Sequence, residues 1–565
     1  MGLSLSAEQK KLTELFAKTN TYMIPSYQRP YSWSEKECSE LWDDLRFIFD
    51  HEDSEEYFLG NIVLAKSTKQ DVVEVIDGQQ RLITLTLFLK VLFLFDEENT
   101  YLEEAIWNKD RRDKSKKTPR LKTMVFEDND NENFEKVLDY TEDKIKKINI
   151  KKSSLFEQNL KFFYDKLNNK EEIPKDKIGN FADFLLERVY ILPIQSEDID
   201  EEKAREKALI IFETINNRGL DLSDADIFKA QLYNSASNKK ESEIFISKWK
   251  DLVNLAKDND YSLVDVFRIY SHVLRGKAED SGTEIGLRAF FAQENKEKGY
   301  IPLRKKDYNE ILDDLNKLLL VIELFNKCIK NEFQESEQFY SLSKWFQVID
   351  EYSNNYPKYI VFIYLFINST MDKEDNLHLN NEKTNDLLLL SQNIIKYVYQ
   401  YTSAMKIRFI IFEMIVSVTK NRPIDFNKLI EKKDKDSVVE FGSRDGRKKG
   451  FALLTTYLAK KQKPIYPYYF HKLITNITMV KKLNSTWDNI DYEEYSNSIG
   501  NLLVSDDKRK NQRELNKRID FYSNSKIIDL QKLSTKLNDF NYQDFEEREE
   551  ECRTRLVSFF FKNTL

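Results

Sequence analysis

The run Asp77-Gly78-Gln79-Gln80-Arg81 sets a carboxylate, a glycine, two amides and a guanidinium side by side, directly ahead of the apolar stretch Leu82 to Phe95. If that stretch is a helix, its first N–H groups are unpaired and its N-terminus is partly positive, which suits a phosphate. Gly78 would let the backbone approach such an anion closely. Arg81 would fork onto its oxygens, and a charge-assisted bond of that kind contributes about 1.5–3 kcal/mol. Asp77 could hold Mg2+ directly or through water, while Gln79 and Gln80 could orient a base, a ribose or an attacking water. The same residues also fit a plain polar helix start, with Asp77 as the cap, Gly78 in the turn, and the Gln and Arg side chains exposed. Two more polar clusters, Gln28-Arg29 and Asn216-Asn217-Arg218-Gly219, fall on short connections beside helix or strand ends. Three such clusters could converge on one anion.

Positioning these residues requires a strand, a short turn and a buried helix in succession. Tyr57 to Leu64 and Val72 to Ile76 read as strands, the second running into Asp77-Gly78, and Leu82, Leu85, Leu89 and Leu92 follow at helical spacing. Upstream, Ser6 to Gln9 has the spacing of a capping box and predicts a first helix over roughly 6–18. Tyr22 to Ile24 is a short extended piece stopped by Pro25. Ser34 to Glu37 is a second capping box with Cys38, Leu41, Trp42, Leu45 and Phe49 behind it, so Gln28 and Arg29 sit in a loop between a strand and a helix. Residues 97–180 are charged and read as a helical insertion. Val189 to Ile194 is another strand candidate. Ala204 to Ile215 reads as a helix ended by residues that tolerate left-handed geometry, and Ser223 caps a helix to about Tyr233 that carries Lys229. From about 240 to 430 the pattern is helical, with aromatic-rich faces of the kind that fill cores. Glu431 to Gly450 is polar, contains Gly442, Gly446 and Gly450, and reads as a domain boundary. The expected class is α-dominant mixed α/β, with domains over 1–235 (insertion at 97–180), 236–430 and 431–565.

Composition supports a folded chain. Of 565 residues, 41% are hydrophobic and 33% charged, which excludes a disordered polyelectrolyte. Thirteen glycines and ten prolines leave few turns, so long helices are expected. The net charge of −8 carries no global basic signature. Contact with DNA would need local patches such as Lys144 to Lys152, Arg447 to Lys449 or Lys508 to Lys510, runs that suit solvated surface as well. Cys38, Cys328 and Cys552 are too scattered for a disulfide framework or a zinc site, which fits a reducing cytosol. The first residues lack the pattern of a signal peptide. The runs Leu82 to Phe95 and Tyr359 to Ile367 are shorter than the ~20 residues of a membrane span. A cytoplasmic protein with no membrane partner is expected.

Four segments in order carry a resemblance: Ile24 to Trp33, with Gln28-Arg29-Pro30-Tyr31; Phe58-Leu59-Gly60; Val75 to Leu82; and Phe212 to Leu220 with Leu222, Ser223 and Lys229. Together they resemble the GmrSD-type family across roughly 1–235, a match that four linked motifs make far more specific than one five-residue run. The resemblance implies a ParB/sulfiredoxin-like α/β fold with a small sheet, and a DGQQR motif that binds and hydrolyses a nucleoside triphosphate with Mg2+. It implies a role in type IV, modification-dependent restriction or related anti-phage defence. On that basis Asp77, Gln79, Gln80 and Arg81 would serve the nucleotide and its metal, and Gln28, Arg29 and Gly78 would line the pocket. Asn217, Arg218 and Lys229 would add to it, although Lys229 could also project into water.

The family often ends in an HNH-type nuclease domain. Ile499-Gly500-Asn501-Leu502 resembles one of its elements, Asn511 follows, and Lys517, Tyr522 and Ser525 resemble the stretch after it. His471 is placed to be the general base, with Asn501 and Asn511 holding metal or phosphate. The acidic neighbour and the proline expected beside His471 are missing, so the domain reads as degenerate and His471 as a helix-face residue. The leading expectation is a nucleotide-dependent anti-phage protein acting on foreign, possibly modified DNA. The alternatives are a nucleotide-sensing subunit without nuclease activity that works with a separate partner nuclease, and a helical interaction scaffold; a homo-oligomer or a partner defence subunit is the candidate assembly.

Overall fold

The computed structural model describes residues 5–17, 20–51, 56–69, 71–109, 117–125, 130–216, 223–233, 235, 239–399, 404–426, 447–474, 498–508 and 515–561. They fall into two compact units, Met1–Asp251 with Leu303–Asn309, and Leu252–Pro302 with Glu310–Leu565. The first dividing point therefore lies at 251, beyond the expected 235.

The first unit runs β1 (Leu5–Ala7), β2 (Lys10–Lys11), α1 (Leu12–Leu15), β3 (Thr21–Ile24), α2 (Glu35–Asp50), β4 (Tyr57–Ser67), β5 (Val72–Asp77) and α3 (Gln79–Phe95). It continues through α4 (Thr100–Ile106), β6 (Trp107–Lys109), β7 (Lys117–Pro119), β8 (Leu121–Thr123), α5 (Asp130–Leu138), α6 (Glu142–Lys146), α7 (Leu155–Asn168) and α8 (Ile178–Arg188). It closes with β9 (Val189–Asp198), α9 (Glu201–Asn216) and α10 (Asp224–Tyr233). The sheet has the order β1-β9-β4-β5-β3-β8, with β2 also on β9. It is mixed: β4 lies parallel to β9 and antiparallel to β5, and β3 lies parallel to both β5 and β8.

Strand alternation divides the sheet into two faces. Tyr22, Ile24, Ile62, Leu64, Val73, Val75, Val189 and Ile191 share one apolar core with α2, α3, α7 and α8. Helix α3 is apolar all round and is buried from Leu82 to Leu92, Lys90 included, as a helix enclosed on every side must be. Each Leu or Phe so enclosed stabilises the fold by about 1.5–3 kcal/mol. Glu74 and Ile76 point to the other face, which α9 covers.

Two sequence expectations are corrected here. The helix expected over 6–18 shrinks to Leu12–Leu15, because the residues before it are drawn onto the edge of β9: Ser6 pairs with Gln195 instead of capping. The cap box is formed instead by Glu14, whose carboxylate accepts from the Lys11 amide at 3.1 Å. The charged insertion at 97–180 is not purely helical either, since β8 within it extends the main sheet. Arg120, 1% exposed, anchors that strand by donating to the carbonyls of Ala17, Asn20 and Glu104 at 3.1, 2.8 and 2.5 Å.

The second unit is mainly helical. Its longer helices include Leu263–Lys277, Tyr356–Asn368, Asn381–Val398 and Tyr542–Phe561. The aromatic faces read from the sequence do fill its core, for example Phe325 stacked on Phe346 and edge-on to Phe362. Most of the expected 431–450 boundary lies outside the described residues. Gly450 is a buried position inside the helix Lys448–Tyr457, where a side chain would collide with Tyr399, and so is not a turn glycine. No helix among the described residues is long and apolar enough to cross a membrane.

Candidate functional site

Strand β5 stops at Asp77 and α3 starts at Gln79, so the whole turn is Gly78, the N-cap, at φ 90°. That left-handed conformation favours glycine. A β-carbon there would also stand 3.0 Å from Ile62 Cβ and closer still to its Cγ2. Asp77 is therefore the last strand residue and not the helix cap. The reading of the motif as an exposed polar helix start fails for its amides as well, since Gln79 and Gln80 are 5% and 6% exposed.

The three motif glutamines draw the loop after β3 onto this turn. Gln28 Nε2 donates to Ile76 O at 2.9 Å, Gln79 Nε2 to Arg29 O at 3.2 Å and Gln80 Nε2 to Pro30 O at 3.1 Å. Gln80 Oε1 accepts from the amides of Ser32 at 2.8 Å and Trp33 at 3.3 Å. Below them Tyr31 shares a 2.7 Å hydrogen bond with Thr84 and accepts from Asn159 Nδ2 at 2.8 Å, its phenol pushed well up by burial. The amides of Gln28 and Gln80, expected to face a ligand, thus have backbone partners and build the wall of the site. Gln79 Oε1 is buried without a hydrogen-bond partner.

The cationic groups stand differently. Arg81, partly exposed, lies with its guanidinium 3.4–3.5 Å from where a Gly60 β-carbon would be, and its Nη1 donates to Asn61 O at 2.8 Å. Gly60 sits at φ 112°, where β4 breaks register with β9 between Phe58 and Asn61. Arg29, also partly exposed, makes no side-chain hydrogen bond or ion pair among the described residues. The Arg81 guanidinium, the backbone of Arg29 and the partly exposed Asp77 thereby stand at one helix N-terminus. Among the described residues no group of three His, Cys, Asp or Glu could hold a metal unaided. A divalent ion at Asp77 would need its other ligands from water or a bound phosphate, a coordination Mg2+ tolerates.

Lys229 does not project into water: it is 3% exposed on α10. Asn217 and Arg218 lie outside the described residues. Sequence reasoning missed Glu74 and Arg205, a buried ion pair with Arg205 Nε to Glu74 Oε2 at 2.7 Å and Nη2 to Oε1 at 2.6 Å. The signal was available, since a charge inside Val72-Val73-Glu74-Val75-Ile76 cannot be buried without a partner.

In the second unit His471 belongs to a strand, Tyr469–Lys472, antiparallel to Leu502–Ser505, and not to a helix face. Its Nε2 lies 3.0 Å from the hydroxyl of Tyr522 on the helix Leu515–Ser523. Asn501, 1% exposed, closes a ring on one backbone residue: its Oδ1 accepts from Ile474 N at 2.7 Å and its Nδ2 donates to Ile474 O at 3.1 Å. It ties the end of one strand of this antiparallel pair to the start of the other. Asn511 lies outside the described residues.

Residues 12–233, the span that holds all four motifs, match a family model described as the GmrSD restriction endonuclease, N-terminal domain. No curated protein matches the chain.

Proposed function

We propose that this chain, whose residues 12–233 match the N-terminal domain of the GmrSD restriction endonuclease, serves restriction-type defence by binding and hydrolysing a nucleoside triphosphate at the β5–α3 junction. The observation that carries this reading is the conjunction of Arg81, seated over Gly60, and Arg29, tied through its carbonyl to Gln79, beside the N-terminus of α3. A cation held in place at a helix start, as Arg81 is, favours the charge that develops on a transferring phosphoryl group. Asp77 is the proposed protein ligand for Mg2+, which when bound neutralises phosphate charge. Gln79 Oε1 is an acceptor for a base, a ribose or a water, and Gln28, Gln80 and Gly78 shape the wall. Lys229, Asn217 and Arg218 are proposed as further contacts. The partner acted upon is foreign DNA, and the compartment is the cytoplasm.

Phosphate release, measured with each common nucleoside triphosphate and Mg2+, tests this. Arg81→Ala should lower the rate on the order of 100-fold with an unchanged circular dichroism spectrum. Equal rates would sink the assignment.

A second reading has its own support: a nucleotide-responsive subunit that leaves DNA cleavage to a partner. His471 is paired with a tyrosine hydroxyl, and Asn501 is committed to the backbone of Ile474, an arrangement suited to holding two antiparallel strands together. The purified chain is then expected to leave supercoiled and linear DNA intact with Mg2+ or Mn2+. Nicking that disappears in His471→Ala would overturn this second reading.

A further inference from the structure

The face of the sheet covered by α9 carries a buried polar seam. Glu74 and Arg205 are 5% and 9% exposed and meet through two parallel hydrogen bonds, and Arg205 Nη2 also donates to Glu201 Oε1 at 3.0 Å. The Tyr27 ring packs 4.8 Å from that of Tyr233, over which the Arg205 guanidinium stands at 6.0 Å. Ser26 Oγ donates to the Tyr233 hydroxyl at 3.2 Å. The Tyr27 hydroxyl is buried without a hydrogen-bond partner, and burial, with Glu74 nearby, holds the phenol protonated. The seam therefore touches four elements at once: β5, α9, α10 and the loop after β3.

Stability alone does not call for such a pair. Replacing a buried ion pair with apolar side chains of similar volume is often neutral or stabilising, because desolvating two charges offsets their attraction. A bidentate fork adds geometry, since it closes in one register, whereas apolar contacts tolerate sliding. Two of the elements so held lead straight to the candidate site. Glu74 lies three residues before Asp77, about 10 Å along an extended strand, and Tyr27 lies two residues before Arg29.

We infer that Glu74 and Arg205 are positioning residues: their pairing locks β5, the Tyr27 loop and α9 in one register and so sets where Arg29 and Asp77 stand. This rests on reading the β5–α3 junction as the nucleotide site. The pair touches no ligand and acts through the backbone of the two segments.

The test uses the full chain and the double variant Glu74→Met/Arg205→Met, which removes both charges and leaves neither one stranded. Its circular dichroism should match the wild type. Amide hydrogen exchange over residues 25–33 and 77–82 should rise by about 10-fold or more, as local opening becomes easier. In nucleoside triphosphate hydrolysis kcat should fall about 10-fold while KM changes less than about 3-fold, the split expected when orientation and not binding is lost. Arg205→Lys, which keeps the charge and loses the fork, should move both readouts in the same direction by less, and it serves if the double variant does not fold. Wild-type exchange and wild-type kcat in a folded variant overturn the inference. A wild-type protein that turns over no nucleoside triphosphate overturns the nucleotide reading instead, and the exchange measurement then decides the positioning claim by itself.

Discussion

The guanidinium of Arg81 rests face-on against the backbone of Gly60: a β-carbon at Gly60 would lie 3.4 Å from Arg81 Cζ and Nη2 and 3.5 Å from Nη1. The two residues come from different motifs, and the glycine is favoured there by its positive φ. The bulge in β4 that turns Gly60 to φ 112° also turns the Asn61 carbonyl towards Arg81 Nη1.

Gly60→Ala is expected to strain the backbone, while its β-carbon meets Arg81 only at ordinary contact distance. A non-glycine residue at such a φ costs on the order of 1–3 kcal/mol, so the denaturant midpoint should fall. Nucleotide affinity should fall as well where relief of the positive φ moves the Asn61 carbonyl that holds Arg81 Nη1. Isothermal titration beside a denaturation curve checks both, and full affinity at reduced stability would uncouple Gly60 from the site.

Gly78→Ala is expected to be the more severe change, because it adds a collision with Ile62 to the positive φ. Ile62→Ala removes the Cγ2 that collides. The double variant should therefore be less destabilised than the sum of the two single variants, by an interaction in the range of about 0.5–3 kcal/mol for neighbouring residues. Strict additivity in denaturant melts would show that the backbone conformation, and not Ile62, is what demands glycine.

Gln80→Ala should loosen the loop after β3. It strips an acceptor from the amides of Ser32 and Trp33 and a donor from Pro30 O. Leaving buried polar groups unpaired costs about 1–3 kcal/mol. Faster amide exchange at residues 30–34, with α3 still protected, is the expected signature. An unchanged exchange pattern would return Gln80 to the role of ligand contact.

Lys90, buried in α3 between the rings of Phe93 and Trp107, has its pKa lowered by burial from 10.5 to about 8. A lysine lowered in the folded state binds fewer protons there than when unfolded. The destabilisation is then fully present below pH 8 and is relieved as pH rises from 8 towards 10.5. Lys90→Met should melt higher than the wild type at pH 7, and the gap should close by about pH 10. A gap independent of pH would mean that the packing of the Lys90 side chain, and not the desolvation of its charge, sets the difference.

Much of the site's architecture was legible in local pattern. Short apolar runs rich in β-branched residues marked β4, β5 and β9, the Ser34–Glu37 capping box marked α2, and an apolar run at helical spacing marked α3; the structure has each of them. These signals are written within a few residues, by apolar run length and by orphaned N–H groups, so no distant contact is needed to read them. The fates of the first residues and of the charged insertion were not legible. Whether Ser6 caps a helix or pairs with Gln195 depends on a free strand edge nearly two hundred residues away, and β8 is a strand only because β3 offers it hydrogen bonds.

The same division runs through the candidate site. The sequence by itself determined which residues gather there, because motif spacing placed Gln28, Arg29, Asp77, Gly78, Gln79, Gln80 and Arg81 on turns that a strand–helix junction brings together. Only the tertiary structure decided what each side chain does. An amide can face a ligand or a backbone carbonyl with equal chemistry, and it was the loop laid across α3 that turned Gln28 and Gln80 inward. Lys229 and Glu74 follow the same rule: on a polar helix or in an apolar strand a charge can reach water or be enclosed, and the packing of neighbouring elements chose enclosure for both.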